Sequence, residues 1–214
     1  MSQQMNPSLL EEGMAGVGIG ANILLSPLTR LWYAGWGATQ AERRQPLPGD
    51  DFVSAPKLET TRAITIKAPP ESIWPWLAQI GQGRAGLYSY QKLENIVGCQ
   101  IENMAEICPE LQDLAIGDKI RLGPDGFPYY VVGAIDPGRT LTLTNPPEDE
   151  MMASTWVFHL VAIEPNRTRL LARNRLAYEP TVMNLIIWRV ITDPTFFVME
   201  RRMLIGIKDR VEAQ

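Results

Sequence analysis

The feature that most constrains this chain is the stretch 117–178. Segments 119–122, 129–135, 139–144, 155–163 and 168–178 are rich in β-branched and aromatic residues, and Pro124-Asp125-Gly126, Asp136-Pro137-Gly138 and Glu164-Pro165-Asn166 stand between them as turns. Connections this short join only antiparallel neighbours, so the stretch predicts a meander. An acidic loop, 146–150, interrupts it. Beyond the meander, Thr181 is placed to cap a helix over 182–191. Asp193 is placed to cap a second one, with Pro194 in its first turn. Phe196, Met199, Met203 and Ile207 then recur at helical spacing, and Arg201, Arg202, Lys208 and Arg210 are expected off that stripe. A long amphipathic helix after a meander must bury its stripe against the sheet.

Upstream, 60–67 alternates as a half-buried strand, with Arg62, Ile64 and Ile66 on one side. Ala68-Pro69-Pro70-Glu71 ends it and opens a helix carrying Ile73, Trp76, Leu77 and Ile80, bent at Pro75. After a glycine-rich break at 81–86, a second short helix over 89–97 places Leu93, Ile96 and Val97 together. Residues 98–116 read as loop with a short helix near Pro109. The order predicts an α+β chain of the helix-grip type: a curved antiparallel sheet wrapped around a long C-terminal helix, with two short helices after the first strand. It also divides the chain into an apolar helical segment (1–36), a polar, proline-rich linker (37–58) and the main domain (59–214).

In the first segment, 14–25 is apolar and glycine-rich but shorter than the roughly 20 residues that span a bilayer. Glu11 and Glu12 precede it where a secretory signal would carry positive charge. Ser8 with Glu11 makes a capping box for a helix. That helix either docks on the domain or lies on a membrane surface, where Trp32, Tyr33 and Trp36 favour the interface.

Several stretches carry a resemblance. TRAITIKAPPESIWPWL (61–77), GQGRAGLYSYQKLEN (81–95), PELQDLAIGD (109–118), FVMERRMLIGIK (197–208) and WGATQAERRQPLPGDD (36–51) resemble a bacterial branch of the START-like SRPBCC superfamily, the group that includes polyketide cyclase/dehydrase-like and Bet v 1-type proteins. The likeness covers 35–211. It implies the helix-grip fold and a cavity for a small apolar ligand. It does not fix an activity, because lipid carriers, hormone receptors, cyclases and oxygenase domains share the fold.

The residues narrow the function classes. A net charge of −4 argues against a nucleic-acid partner. One histidine and two separated cysteines, Cys99 and Cys108, make neither a metal site nor a disulfide framework. Reduced thiols and a cytoplasmic setting, with peripheral membrane contact through the first segment, are expected. No cofactor is implied. Gly16-Val17-Gly18-Ile19-Gly20-Ala21 and 81–86 match a dinucleotide fingerprint only on paper, since neither lies between a strand and a helix.

The second glycine segment leads into Arg84, Tyr88, Tyr90 and Glu94. These four are expected to converge at the mouth of the grip, with Arg84 as a bidentate anion anchor; the bland alternative is a packed turn. His159 lies mid-strand between two apolar faces, as a core histidine or an inward polar anchor. Phe196, Met199 and Met203 are expected as cavity wall. Arg169, Arg173 and Arg175 share one strand face, expected to point outward. The leading expectation is binding or transport of a lipid, polyketide or isoprenoid-like ligand between sheet and last helix. A cyclase or hydrolase acting on a carbonyl substrate through Arg84, the tyrosines and His159 is the second. A structural module with a closed core is the third. Whether the chain is an enzyme is not decided by its residues.

Overall fold

A computed structural model describes residues 6–147 and 152–214. Glu148 to Glu150 of the acidic loop lie outside the described residues. Among those described, six strands form one antiparallel sheet: β1 (Leu58–Ile66), β2 (Lys119–Arg121), β3 (Tyr129–Asp136), β4 (Thr140–Thr144), β5 (Met152–Glu164) and β6 (Arg167–Tyr178), in spatial order β1-β6-β5-β4-β3-β2. The meander runs β2 to β6 in sequence, and β1 closes it by pairing with β6 from Leu58↔Leu176 to Ile66↔Thr168. The sheet grips α6 (Asp193–Glu212), so the expected helix-grip fold is the observed one.

Register sorts the two faces. Arg62, Ala172, Phe158 and Leu141 lie in one cross-strand row, and Ile64, Leu170 and Leu160 in another, all facing α6. There Met203, Leu204, Ile207 and Val211 of α6 join Trp76 and Leu77 of α3 (Pro70–Ala78) in the main core. Alternate residues face outward, and residues 37–58 cover that outer face. Leu47 packs on Ala63 and Leu171. Glu42, in α2 (Gln40–Arg44), receives both Arg169 nitrogens at 2.8 Å. Arg173 is buried and donates to Asp50 Oδ2 (2.7 Å) and to the carbonyls of Gln45, Glu42 and Arg43. The arginine face therefore points outward, as expected, but under a cover rather than into water.

The N-terminal segment is one helix, α1 (Leu9–Tyr33), opened by the expected capping box: Ser8 N–H donates to Glu11 Oε2 (2.7 Å) and Glu11 N–H to Ser8 Oγ (3.3 Å). It docks on the domain. Buried Glu12 accepts from the Lys92 and Leu93 amides (3.1 and 2.9 Å), holding the first turn of α4 (Gln91–Ile96). At the other end Tyr33 stacks on Phe197.

Three local expectations are corrected. Asp193 is not a cap: the helix runs unbroken from α5 (Val182–Leu185) through a π-helical segment (Ile186–Thr192) into α6, and Asp193 is buried beside Arg62. The wider π turn lies where the Pro194 ring would clash with an α-helical carbonyl and where its missing N–H removes a bond. Arg210 is not off the stripe. Seven residues after Met203 it returns to the same face, where it is buried and donates to Met104 O (2.8 Å) and Gly206 O (3.0 Å) with its guanidinium 4.8 Å from the Tyr88 ring centroid. Ile96 and Val97 do not share the buried face with Leu93; both are exposed.

Candidate functional site

The inner row of the sheet carries a charge network that the alternation of β1 hides. Arg62, fully buried, donates to Glu200 Oε2 (2.6 Å), to Asp193 Oδ1 (3.3 Å) and to the Tyr33 carbonyl (2.9 Å). Glu200 Oε1 accepts from Trp156 Nε1 (2.7 Å) and Asn174 Nδ2 (2.8 Å). Arg30 of α1 also approaches Asp193, at 3.6 Å. Burial raises the Asp193 carboxyl pKa, and the two arginines oppose the shift. Such a network persists at low dielectric because every oxygen of Glu200 has a donor. It also fixes the Trp156 ring, which meets Phe196 edge-on at 5.2 Å.

Beside that fixed ring the core is open. A cavity of about 260 Å³ lies between β5, α6, α4 and α1, walled chiefly by Ile19, Leu93, Leu122, Trp156, Phe196 and Met203. Phe196 also borders a second, smaller hollow of about 80 Å³ next to Tyr130, Ser154 and Trp188. Ser89, Thr195 and Glu200 reach the larger cavity, but each is engaged within the protein. Ser89 Oγ donates to Met199 O (2.9 Å), and Thr195 Oγ1 to Ile191 O (2.7 Å). The remaining polar wall residue is Glu94, buried at 7% exposure, whose Oε2 has no hydrogen-bond partner. Burial, and secondarily the Glu12 carboxylate, raises its pKa to about 7.

Of the residues singled out from sequence, the structure brings Glu94, Phe196, Met199 and Met203 to this cavity. Four others go elsewhere. Arg84 donates through Nη2 to the carbonyls of Ala78 (2.9 Å) and Leu111 (2.8 Å), closing the C-terminal end of α3. Its segment is a tight loop in which Gly81 and Gly86 exchange backbone hydrogen bonds (2.9 and 3.1 Å), with Gly81, Gly83 and Gly86 all at positive φ. This is the packed turn of the bland alternative, and Arg84 is no anion anchor at the mouth. Tyr88 is buried with its hydroxyl between Gln79 Nε2 (3.0 Å) and the Trp76 carbonyl (3.1 Å); burial pushes its pKa up, against the opposing hydrogen bond from Gln79. Its backbone rests directly on α6: a Cβ on Gly206 would come within 2.3 Å of the Tyr88 carbonyl oxygen. Tyr90 precedes α4 and packs with Tyr33, Phe197 and Val198. His159 faces outward, its Nδ1 2.8 Å from Thr140 Oγ1, and burial lowers its pKa. It is the core histidine bonded to a neighbour.

Sequence reasoning missed Arg62, Glu200, Trp156 and Asn174. Glu200 had a legible signal. It falls within the stripe of Phe196, Met203 and Ile207, where a carboxylate must find a buried partner. Arg62 shares its strand face with Ile64 and Ile66, which is the same signal in a strand.

No family model matches the sequence, and no curated protein matches it. Solved structures to which the chain is similar include protein Ms6760 from Mycobacterium smegmatis (19% identity, 73% of this chain and 92% of that one, TM-score 0.43). The Aha1 dimer from Colwellia psychrerythraea is similar at 19% identity over 72% and 96%, TM-score 0.43. Norcoclaurine synthase from Thalictrum flavum is similar at 14% identity over 80% and 95%, TM-score 0.45.

Proposed function

We propose that this chain binds or carries a small apolar ligand in the cavity between its sheet and α6. The observation that carries the reading is a cavity of about 260 Å³ whose walls are almost wholly aliphatic, aromatic and thioether side chains. Natural cores are packed close to crystal density, so a hollow of this size lined this way is a site rather than a packing fault. Methionine side chains adapt to differently shaped guests. The carbonyl-polarising alternative has lost its residues, because Arg84, Tyr88 and His159 are engaged away from the cavity. A closed-core structural module is disfavoured by the hollow itself. Met199→Trp tests the reading by filling the space. Fluorescence enhancement of N-phenyl-1-naphthylamine, a neutral apolar probe, should be lost in this variant while its thermal midpoint holds. Undiminished probe binding in a folded variant would sink the cavity as the site.

We also propose peripheral membrane contact through α1, a reading supported by exposed apolar residues. Leu24, Leu28, Leu31 and Trp32 on α1 are exposed, as are Ile186, Ile187 and Ile191 in the π-helical segment. Val182–Glu212 is also long and apolar enough to cross a membrane by length and composition, with 17% of its most apolar stretch buried. Co-sedimentation with liposomes should fall when Leu28 and Leu31 are both replaced by Asp; retention of binding removes α1 as the contact.

A further inference from the structure

The cavity wall has a charge character that an acidic lipid does not match. Among the described residues that line it, two are carboxylates, Glu94 and Glu200, and none is Lys, Arg or His. Glu200 is satisfied by Arg62, Trp156 and Asn174. The hydroxyls of Ser89 and Thr195 donate to backbone carbonyls. That leaves one polar group inside the wall without a partner, Glu94 Oε2. A buried carboxyl in this state costs free energy unless something supplies a donor. Protein neighbours do not. Glu12 of α1 is itself an acceptor engaged with the Lys92 and Leu93 amides, and Cys99, in the loop after α4, directs its thiol to the Leu122 carbonyl (3.6 Å), its pKa raised by burial and secondarily by the Glu94 carboxylate.

From this geometry we infer that the cavity takes an apolar amine, with its ammonium donating to Glu94 and its hydrocarbon body against Trp156, Phe196 and Met203. The inference rests on the apolar-cavity reading above and names its ligand class. Three features support it. Once ionised, as it mostly is above the pKa of about 7, the unpartnered carboxylate only accepts, so the guest must bring the donor. Trp156 and Phe196 line the same wall, and the π-face of an aromatic ring attracts a cation and repels a carboxylate. The volume, about 260 Å³, leaves room for about eight or nine water-sized groups, the size of a short alkyl or small aromatic amine rather than a full-length lipid. A fatty acid would put a second anion beside Glu94, with Arg84 too firmly tied to Ala78 and Leu111 to compensate it.

The test uses the full chain and three probes of equal length: n-octylamine, 1-octanol and octanoate, titrated calorimetrically at pH 7.5. Octylamine should bind about tenfold or more tighter than octanol, the usual effect of a charge-assisted hydrogen bond, and octanoate should bind weakest. Glu94→Gln should bring octylamine down to the level of octanol while changing octanol itself little. Glu94→Leu, which leaves no buried polar group behind, should lose the preference in the same way. Glu110→Gln, an exposed acid remote from the wall, should not change it, which separates the site from attraction to an acidic surface. If octanol binds but the amine is no tighter, or if the preference survives both Glu94 variants, the inference is overturned and the cavity reading stands. If none of the three probes binds, the cavity reading falls and takes the inference with it.

Discussion

On the outer face of the sheet, Arg169, Arg173 and Arg175 meet Glu42, Asp50, Glu59 and a series of backbone carbonyls supplied by residues 37–58. On the inner face, Arg62 and Glu200 are matched, Asp193 accepts from Arg62 through Oδ1 and has Arg30 at 3.6 Å from Oδ2, and along the same interior Glu94 Oε2 has neither a hydrogen bond nor a cation. Both faces bury charge. The outer one uses it to fix a cover, and each guanidinium is oriented by oxygens from both chain and side chain. The inner one uses it to fix Trp156 and α6, then leaves the Glu94 carboxyl at the wall of a hollow with no cation beside it. The difference teaches where to look for function in a fold that does not specify it. Charges that are fully matched hold the architecture, and an unmatched group inside a cavity points to a guest.

The largest expected effect comes from breaking the inner match. Glu200→Ala leaves the Arg62 guanidinium, the Trp156 indole N–H and the Asn174 amide without their common acceptor. Urea unfolding should report a loss of about 3–5 kcal/mol, the cost of orphaning a buried ion. A loss below that of the outer-face variant given below would show that the two networks do not differ in the way described.

Next in size is the pH dependence that Glu94 confers. Its carboxyl ionises near 4.5 when unfolded and at about 7 when folded, so the folded state holds the proton more tightly between those values. Stability present below pH 4.5 is lost as pH rises through 7, by on the order of 3 kcal/mol. Glu94→Gln should flatten that part of the profile between pH 5 and 8. A wild-type curve as flat as the variant's would mean that Glu94 has a partner after all.

On the outer face, Arg173→Ala should cost about 2 kcal/mol. It should also increase proteolytic nicking within residues 37–58, since its side chain bridges β6 to the carbonyls of Gln45, Glu42 and Arg43. Unchanged protease sensitivity would show that the apolar contacts of Leu47 hold the cover unaided. The smallest effect is expected from Arg84→Ala, about 1–2 kcal/mol from two carbonyls losing a donor, with octylamine and octanol affinities unmoved. A selective loss of ligand affinity in that variant would return Arg84 to the site.

Much of the fold was legible because its signals are local. Turns at Pro124-Asp125-Gly126 and Asp136-Pro137-Gly138 set the meander, the Phe196 to Ile207 spacing set the grip helix, and Ser8 with Glu11 set the start of α1. The site was legible only in part, for a physical reason. Whether Arg84 reaches a guest depends on the Ala78 and Leu111 carbonyls, the latter 27 positions away in sequence, which no local pattern ties to it. His159 could not be assigned a side because the outer face is itself covered and therefore apolar, so alternation along β5 fades. Asp193 looks like any helix cap beside a proline, and only the fold brings Arg62 of β1 to it.

Phe196 borders both the larger cavity and the smaller hollow beside Trp188, so one benzyl group is shared by the two walls. Its placement is set by rotation about one χ1 bond. On the proposed reading, a rotamer that swung the ring aside would join the two spaces into a longer slot reaching from α4 to the π-helical segment, so the length of guest the cavity takes would depend on Phe196 as well as on the fixed wall.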